Sequence, residues 1–328
     1  NHYIDDFKKE KVIFRKYTDL GLMIIKRKYG SPYSDTKPWL NQCRGLIIDY
    51  NKHKVILIPP TKSKEILTYD EFKNNNSSNE PLIDGTMINV VWFQGNWLLS
   101  TRSNIGCTNK WSSDMNFLEM FRDCSQNLDM NTLSQDCTYS FVMRHKKHRI
   151  TSVVDSNELV LVEVRNNHVL VDIPSNPGYK TIHEFKSGTL YKGLTYKKDN
   201  IRYKWLTTEH KFIEMIKPNT NNICLNYLTL RNSGHLTNYL KLFPEKRLEF
   251  EGPRKKVHLI TQLLYQYYLK VFIHKEIDKK DIPFALKPLI YEIHGIYLKD
   301  KQGISWQTVK QYIYELEPKR LQFVMNNL

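Results

Sequence analysis

A turn, Pro81-Leu-Ile-Asp-Gly-Thr86, leads directly into a strongly β-forming stretch, Met87-Ile-Asn-Val-Val-Trp-Phe93. Asp-Gly-Thr on its own is typical of an ordinary tight turn. The apolar stretch after it predicts a strand, and Gln94-Gly-Asn96 predicts a hairpin turn into a second strand, Trp97-Leu-Leu-Ser-Thr101. The turn at 81–86 therefore stands where a β-hairpin begins.

Further strands are predicted on both sides of this hairpin. Two β-branched runs that flank Asn51-Lys-His53 predict an upstream hairpin over residues 45–58. Downstream, β-rich stretches separated by turn residues predict strands at Thr138–Met143, Thr151–Val154, Leu159–Val164 and His168–Ile173. Residues 88–204 are thus expected to be mainly antiparallel β-structure.

From about residue 206 the apolar pattern changes to a helical period. Apolar residues from Val257 to Val271 predict one face of a helix that ends at the basic run Lys275 to Lys280. A second pattern, Val309 to Leu316, predicts a helix capped by Ser305, and a short last helix follows Pro318.

These patterns predict an α+β fold in two domains. The chain has 328 residues, which favours two domains over one. We expect antiparallel sheets in a domain of residues 1–210 and an all-helical domain of residues 211–328.

The charge of the chain favours a polyanionic partner. Lys and Arg number 49 against 34 Asp and Glu, a formal net charge of +15 with a pI near 9.4. Such a surface attracts phosphates and gains from counterion release. An AT-rich genome also enriches a protein in lysine, asparagine and isoleucine. The net charge alone therefore does not distinguish nucleic-acid binding from such a compositional bias.

The remaining composition excludes several classes of protein. Hydrophobic residues make up 41% and charged residues 25%, which is typical of globular chains rather than disordered ones. The sequence lacks an apolar run of about 18 residues and does not begin like a signal peptide. Five scattered cysteines without a CxxC pair indicate reduced thiols. We therefore expect a cytoplasmic protein with no membrane partner.

An ordered series of segments resembles the phage-type RNA ligases of the covalent nucleotidyltransferase superfamily. Leu82-Ile-Asp-Gly-Thr86 resembles the Lys-x-Asp-Gly-Ser/Thr nucleophile motif of that family. The other matching segments, in chain order, are Gln42-Cys-Arg-Gly-Leu-Ile-Ile48, Pro59 to Ile66, Leu99-Ser-Thr-Arg-Ser-Asn-Ile-Gly106, Tyr139-Ser-Phe-Val142, His148-Arg-Ile-Thr151, Lys192-Gly-Leu-Thr195 and Arg202-Tyr-Lys-Trp205. The resemblance covers roughly residues 40–216 and implies a nucleotidyltransferase body, the ATP-grasp-like ligase fold.

The departures from the family pattern all fall on its chemistry. In the family, a lysine attacks the α-phosphate of ATP, and a metal offsets the phosphate charge. Leu82 stands in place of that lysine, and Ser140 and Lys192 stand in place of two glutamates. The resemblance therefore implies a chain without catalytic residues, and we expect neither a nucleotide cofactor nor a metal.

The cations of the same motifs are retained. Arg44, Arg102, Arg202 and Lys204 match family positions that grip phosphates, and Lys192 adds an ammonium. We predict that these five side chains bind the phosphates of RNA directly, without a divalent ion. The alternative is a pocket that has become purely structural.

Other segments leave further interpretations open. The run Arg144-His-Lys-Lys-His-Arg149 predicts contacts of Arg144, Lys146, Lys147 and Arg149 with an RNA backbone, or a merely solvated hairpin tip. Lys192 as a relocated nucleophile, and Glu251-Gly252 as the true fourth motif, are two ways in which activity would survive. The order of Glu251-Gly252 along the chain is wrong for the second.

The leading hypothesis is a catalytically inactive RNA-ligase-like protein. It would bind RNA, including a 5′-phosphorylated or capped end, or act as a scaffold in a viral nucleoprotein, RNA-processing or translation complex. The segment Pro283 to Phe323 resembles the C-terminal region of ligase-like proteins from large DNA viruses, which implies a viral origin, viral protein partners and a host cytoplasm or virus-factory location. The alternatives are an active unconventional ligase or nucleotidyltransferase, and a structural virion protein that does not bind nucleic acid.

Overall fold

A computed structural model of the chain describes residues 2–74, 79–111, 113–176, 178–186, 191–199 and 201–328. The strands are β1 (Val12–Tyr17), β2 (Leu22–Arg27), β3 (Arg44–Asp49), β4 (Lys54–Leu57), β5 (Lys64–Ile66), β6 (Glu80–Pro81), β7 (Thr86–Phe93), β8 (Asn96–Ser100), β9 (Cys137–Arg144), β10 (Glu158–Asn166), β11 (Val169–Val171), β12 (Lys180–Thr181), β13 (Gly193–Lys198) and β14 (Ile201–Leu206). The helices are α1 (His2–Lys9), α2 (Tyr69–Asn74), α3 (Phe117–Cys124), α4 (Thr208–Ile216), α5 (Ile223–Asn232), α6 (Leu236–Leu242), α7 (Lys246–Tyr268), α8 (Lys287–Asp300), α9 (Trp306–Glu315) and α10 (Pro318–Asn326).

The chain divides into two compact units, residues 1–212 and residues 213–328. The first unit contains the strands, and the second contains α5 to α10. The division lies two residues beyond the boundary expected at 210 and 211. The assignment of these units as separate domains stays a prediction.

The central sheet of the first unit runs in the order β11-β10-β9-β7-β8, and β12 pairs with β10. One face is apolar because alternate residues of β9, Tyr139, Phe141 and Met143, point to it and pack in one cluster with Phe117 and Met120 of α3. The opposite face carries Met87 and Val142 beside polar side chains, and this face holds the candidate site.

Two further sheets complete the first unit. One runs β1-β2-β3-β4 and is antiparallel, and Leu22, Ile24 and Ile47 of this sheet form a buried cluster with Val91 of β7. The other runs β5-β14-β13-β6, with β14 antiparallel to β13 and parallel to β5. The hairpin of β13 and β14 positions Arg202 and Lys204.

The second unit has a helical core around α7. Val257, Ile260 and Leu264 of α7 recur at helical spacing and are buried, together with Ile293 of α8 and Ile313 of α9. Ser305 caps α9 because its hydroxyl accepts the Thr308 N–H (3.1 Å), and Thr308 reciprocates to the Ser305 N–H.

The α+β class, the antiparallel sheets and the helical C-terminal region are confirmed. Both predicted hairpins are present as β3–β4 and β7–β8, and the strands predicted at 138–143 and 159–164 are present as β9 and β10. The strand expected at 168–173 is reduced to β11, and the helix predicted from Val257 begins already at Lys246, with Pro253 inside it.

The strand predicted at Thr151–Val154 is wrong. These residues form bends, because the backbone N–H groups of Thr151 and Ser152 donate to the carboxylate of Asp84 instead of a neighbouring strand. A β-branched run indicates strand propensity, but here a buried carboxylate satisfies the donors.

Across the described ranges, none of the helices combines the length and apolar character that crossing a bilayer requires. The predicted cytoplasmic location stays a prediction.

Candidate functional site

Leu82 lies between β6 and β7, at the position that the family resemblance assigns to the nucleophile. Its backbone N–H donates to the carbonyl of Gly193 (2.9 Å), and its side chain is half-buried. Glycine is required at 85 because a Cβ there would lie 2.6 Å from the Met143 carbonyl oxygen. The segment from Leu82 to Gly85 is therefore held by β13 at one end and by β9 at the other. An alkyl side chain at 82 offers no lone pair to attack a phosphate.

Asp84 is buried and anchors the loop that follows β9. Its Oδ2 accepts hydrogen bonds from the N–H groups of Thr151 (2.7 Å) and Ser152 (2.9 Å). Its Oδ1 is buried without a hydrogen bond and lies 3.7 Å from Nζ of Lys192. Lys192 is thus the counter-charge of Asp84. A protonated lysine has no lone pair with which to ligate a metal ion. The positive charge beside Asp84 therefore comes from the Lys192 ammonium itself.

Ser140 belongs to a row of buried polar side chains across the central sheet. Ser100, Asn89, Ser140 and Glu163 lie opposite one another on β8, β7, β9 and β10, and none is more than 6% exposed. Ser140 Oγ donates to Asn89 Oδ1 (2.8 Å). Among the described residues, the Nδ2 of Asn89 and the Oγ of Ser100 have no hydrogen-bond partner. Buried polar atoms without partners are rare, and here they distinguish this row from the apolar core around it.

The carboxylate in this row, Glu163, is already neutralised. Arg165 Nη2 lies 2.7 Å from Oε1 of Glu163, and Lys197 Nζ lies 3.6 Å from Oε2. The described residues contain no group of three His, Cys, Asp or Glu side chains placed to hold a metal ion. Ser140 and Lys192 add no carboxylate, so the side chains present do not fit a divalent cation.

Five cations form a cluster in the first unit, which we call the cationic cluster: Arg44, Lys62, Arg102, Arg202 and Lys204. Arg44 begins β3, where Gly45 adopts a φ of 111° and a Cβ on Gly45 would lie 3.0 Å from the Arg102 Cα. Only glycine therefore lets β3 approach the 101–102 segment this closely. This approach brings Arg44 and Arg102 together.

Hydrogen bonds and one ion pair orient the other members of the cluster. Arg102 Nη2 donates to the Arg27 carbonyl (2.7 Å), and its Nε is buried without a hydrogen-bond partner. Arg202 is buried and its Nε donates to Thr195 Oγ1 (3.2 Å). Lys204 forms an ion pair with Glu65 (2.9 Å), its register neighbour on β5.

The pKa shifts show that these cations repel one another. Desolvation, followed by the charges of Arg102 and Arg202, lowers the pKa of Arg44 to about 10. Desolvation, followed by Arg44 and Lys204, lowers the pKa of Lys62. Within the described part of the chain, Arg44 and Lys62 form no ion pair. A bound anion would relieve this repulsion.

The basic run at 144–149 is partly engaged with the protein itself. Arg144 forms an ion pair with Glu158, and Arg149 Nε donates to the Thr151 carbonyl (3.0 Å). Both histidines of the run are buried. Lys146 and Lys147 are exposed, so they are the members of the run that face solvent.

Sequence reasoning missed Lys62, Asn89 and Glu163. Lys62 lies in the segment from Pro59 to Ile66 that resembles the family. Nothing in the sequence around it distinguishes it from the many other lysines of the chain. Asn89 and Glu163 each interrupt an apolar strand at a position facing the site. A polar residue inside an otherwise apolar strand was the available signal. Glu251 and Gly252 lie inside α7, away from any strand.

Comparisons with known proteins give structural matches only. Neither the family models nor the curated proteins compared with the sequence give a match. Among solved structures, the chain is similar to a protein provisionally assigned as an ATP-dependent DNA ligase of Aquifex aeolicus, with 14% identity and a TM-score of 0.40 over 91% of this chain and 80% of that one. It is also similar to an archaeal ATP-dependent RNA ligase, with 10% identity and a TM-score of 0.44 over 76% of this chain and 70% of that one.

Proposed function

We propose that this protein is a ligase-related nucleotidyltransferase that has lost covalent chemistry and binds the 5′ end of RNA through the cationic cluster and Lys192. The observation that carries the proposal is the cluster itself. Neighbouring cations lower the pKa of Arg44 and of Lys62, and the one ion pair of the cluster among the described residues joins Lys204 to Glu65. A bound anion would offset the repulsion between these cations.

The loss of chemistry is supported by three positions together. Leu82 lacks a nucleophile, Ser140 is hydrogen-bonded within the polar row, and Lys192 neutralises Asp84. A single exchange would leave the metal site, whereas these three remove the attacking group and two acidic ligands. The positive charge of Lys192 and of the cationic cluster thus takes the place of the charge of a metal ion.

Phosphate is the anion that best suits the cluster. Guanidinium groups bind phosphate oxygens through paired, charge-assisted hydrogen bonds, and three of the five cluster members are arginines. The polar row across β7 to β10 offers unpartnered atoms for a sugar or a base next to the phosphate. We propose a viral RNA-processing or translation complex in the cytoplasm as the setting, on the resemblance of the C-terminal segment alone.

The absence of covalent chemistry is tested by incubation with radiolabelled ATP or GTP and magnesium or manganese. We expect no protein–nucleotide adduct, because position 82 has no attacking lone pair. An adduct that survives denaturing electrophoresis would establish an active enzyme. An adduct lost in Lys192→Met would identify the relocated nucleophile.

End recognition is tested by the affinity for one RNA bearing either a 5′-phosphate or a 5′-hydroxyl. Arg44→Gln and Lys62→Gln should each weaken binding of the phosphorylated RNA by about ten- to a hundredfold, because a charge-assisted hydrogen bond contributes about 1.5–3 kcal/mol. Binding of the hydroxyl RNA should hardly change. The matched control is Lys52→Ala with Lys54→Ala, two exposed lysines of the β3–β4 hairpin. Equal affinity of the wild type for both RNAs would refute the proposal.

A further inference from the structure

The helical unit contains a basic groove that the proposed end-binding function does not use. A cavity of 720 Å³ lies on α5, α7 and α9, and its lining includes Arg231, Glu251, Arg254, His258, Trp306 and Lys310. Its volume is within the range of about 300–1,000 Å³ that is usual for ligand sites. The cations in this lining outnumber the one carboxylate, Glu251.

Helical spacing explains why these side chains share one surface. Glu251, Arg254, Lys255, His258 and Gln262 follow the i, i+3, i+4, i+7 and i+11 pattern along α7. Trp306 and Lys310 are four residues apart on α9 and lie on one side of that helix. The opposite face of α7 supplies the buried Ile260 and Leu264 of the core.

Two of the cations form no ion pair with the described residues of the unit. Lys255 lies 3.5 Å from Glu251, and Arg231 donates to the Ile313 carbonyl (3.1 Å). Arg254 and Lys310 are exposed and form no ion pair or hydrogen bond among the described residues. Their charge is therefore available to an outside anion.

The groove combines this charge with an aromatic side chain. Trp306 is half-buried, and its ring meets those of His258 and Tyr265 edge-on, at 77° and 76°. Neighbours on two sides hold the indole in place, which lowers the entropy cost of using it as a stacking surface. Cations beside a fixed aromatic ring are typical of single-strand nucleic-acid sites.

A second cavity of 570 Å³ extends the groove along α7 towards Lys241 and Arg247. The two cavities share Glu251 and Arg254. Arg247 and Gln262 are about 22 Å apart along the helix axis, at a rise of 1.5 Å per residue. This length exceeds the axial rise per phosphate of one strand of B-DNA, about 3.4 Å, several times over.

We propose that this groove binds the body of a single-stranded nucleic acid, with phosphates on Arg254 and Lys310 and a base against Trp306. The groove requires neither a 5′-phosphate nor the cationic cluster of the first unit. An acidic protein segment would meet the cations equally well but makes less use of the fixed indole.

The test measures the affinity of the full chain for a 5′-hydroxyl oligouridylate between about 50 and 200 mM salt. The double variant Arg254→Ala, Lys310→Ala should lower affinity about tenfold at the low end. It should also reduce the slope of log K against log salt by about 1.4, since each single-strand phosphate contact contributes about 0.7. The control is Lys299→Ala with Lys319→Ala, two exposed lysines of the same unit outside both cavity linings.

Trp306 is tested separately because its removal also affects packing. Trp306→Leu should weaken binding by about five- to a hundredfold, whereas Trp306→Tyr should keep most of the affinity, because a base can stack on either ring. Equal loss in the control and in Arg254→Ala, Lys310→Ala would overturn the proposal. So would polyglutamate competing as well as the oligonucleotide, which would favour an acidic protein segment.

Failure here is distinguishable from failure of the proposed end-binding function. The end-binding function predicts a difference between 5′-phosphate and 5′-hydroxyl RNA that Arg44→Gln removes. The groove predicts a contribution common to both RNAs that Arg44→Gln leaves in place.

Discussion

At the scale of single residues, the site is defined by how each charge is balanced. Asp84 has two backbone donors and one ammonium, Glu163 has two cations, and Arg44 has other cations as neighbours. The first two are internally compensated and therefore structural. Arg44 differs from both: it is exposed, has other cations beside it and forms no ion pair among the described residues. This contrast separates the proposed anion-binding part of the site from its scaffold.

Asp84 and Lys192 should contribute unequally to stability although they form one ion pair. Asp84→Ala should lower the free energy of unfolding by about 1–3 kcal/mol, because it orphans two buried N–H donors. Lys192→Met should cost less than Asp84→Ala, because Asp84 keeps its two backbone donors and the ammonium lies 3.7 Å away on a partly exposed side chain. Urea unfolding of both variants measures the difference. A larger loss for Lys192→Met would show that the pair, rather than the backbone donors, holds the loop.

At the scale of elements, the β13–β14 hairpin positions Lys192, Arg202 and Lys204. Gly193 opens β13 with a φ of 152°, and a Cβ there would lie 2.0 Å from the Trp205 carbonyl oxygen. A backbone atom cannot rotate away as a side chain can. The hairpin therefore depends on glycine at this position.

Gly193→Ala should destabilise the protein by about 2–4 kcal/mol, because the added methyl group forces β13 away from β14. It should also weaken binding of 5′-phosphorylated RNA, since Arg202 and Lys204 would move. Gly252→Ala is the matched control: it lies inside α7 with open space around it and should stabilise by about 1 kcal/mol. Thermal unfolding with RNA titration checks both. Unchanged stability in Gly193→Ala would contradict the geometry of the hairpin.

At the scale of the whole molecule, two compact units each have a buried apolar core. The first unit buries Phe141 and Met143 under α3, and the second buries Ile260, Leu264 and Ile293 between helices. Each unit also carries its own basic site. Basic side chains of a chain with a formal net charge of +15 thus gather at two candidate interfaces rather than one.

The fragment of residues 213–328 should fold without the first unit. Its core residues come from α5 to α10, so no strand is needed to bury them. We expect a helical circular dichroism spectrum and one cooperative urea transition. The full chain serves as the reference. A broad, gradual loss of helix in the fragment would mean that the first unit is required.

The sequence alone determined the elements that arise from local pattern and the identity of the altered motif positions. The alternation of apolar and polar residues over β7 to β10 and the helical spacing of apolar residues along α7 depend on residues close together in the sequence, so the sequence predicts both. The identities of Leu82, Ser140 and Lys192 are likewise given by the sequence itself. The false strand at 151–154 shows the limit, since its donors turn to Asp84, more than sixty residues away.

Only the tertiary structure decided which charges meet. It paired Lys192 with Asp84 and Lys204 with Glu65, added Lys62 to the cationic cluster, and aligned Ser100, Asn89, Ser140 and Glu163 across four strands. Strand register and close backbone approach set these contacts. Both depend on packing between segments far apart in the chain, which local composition does not encode.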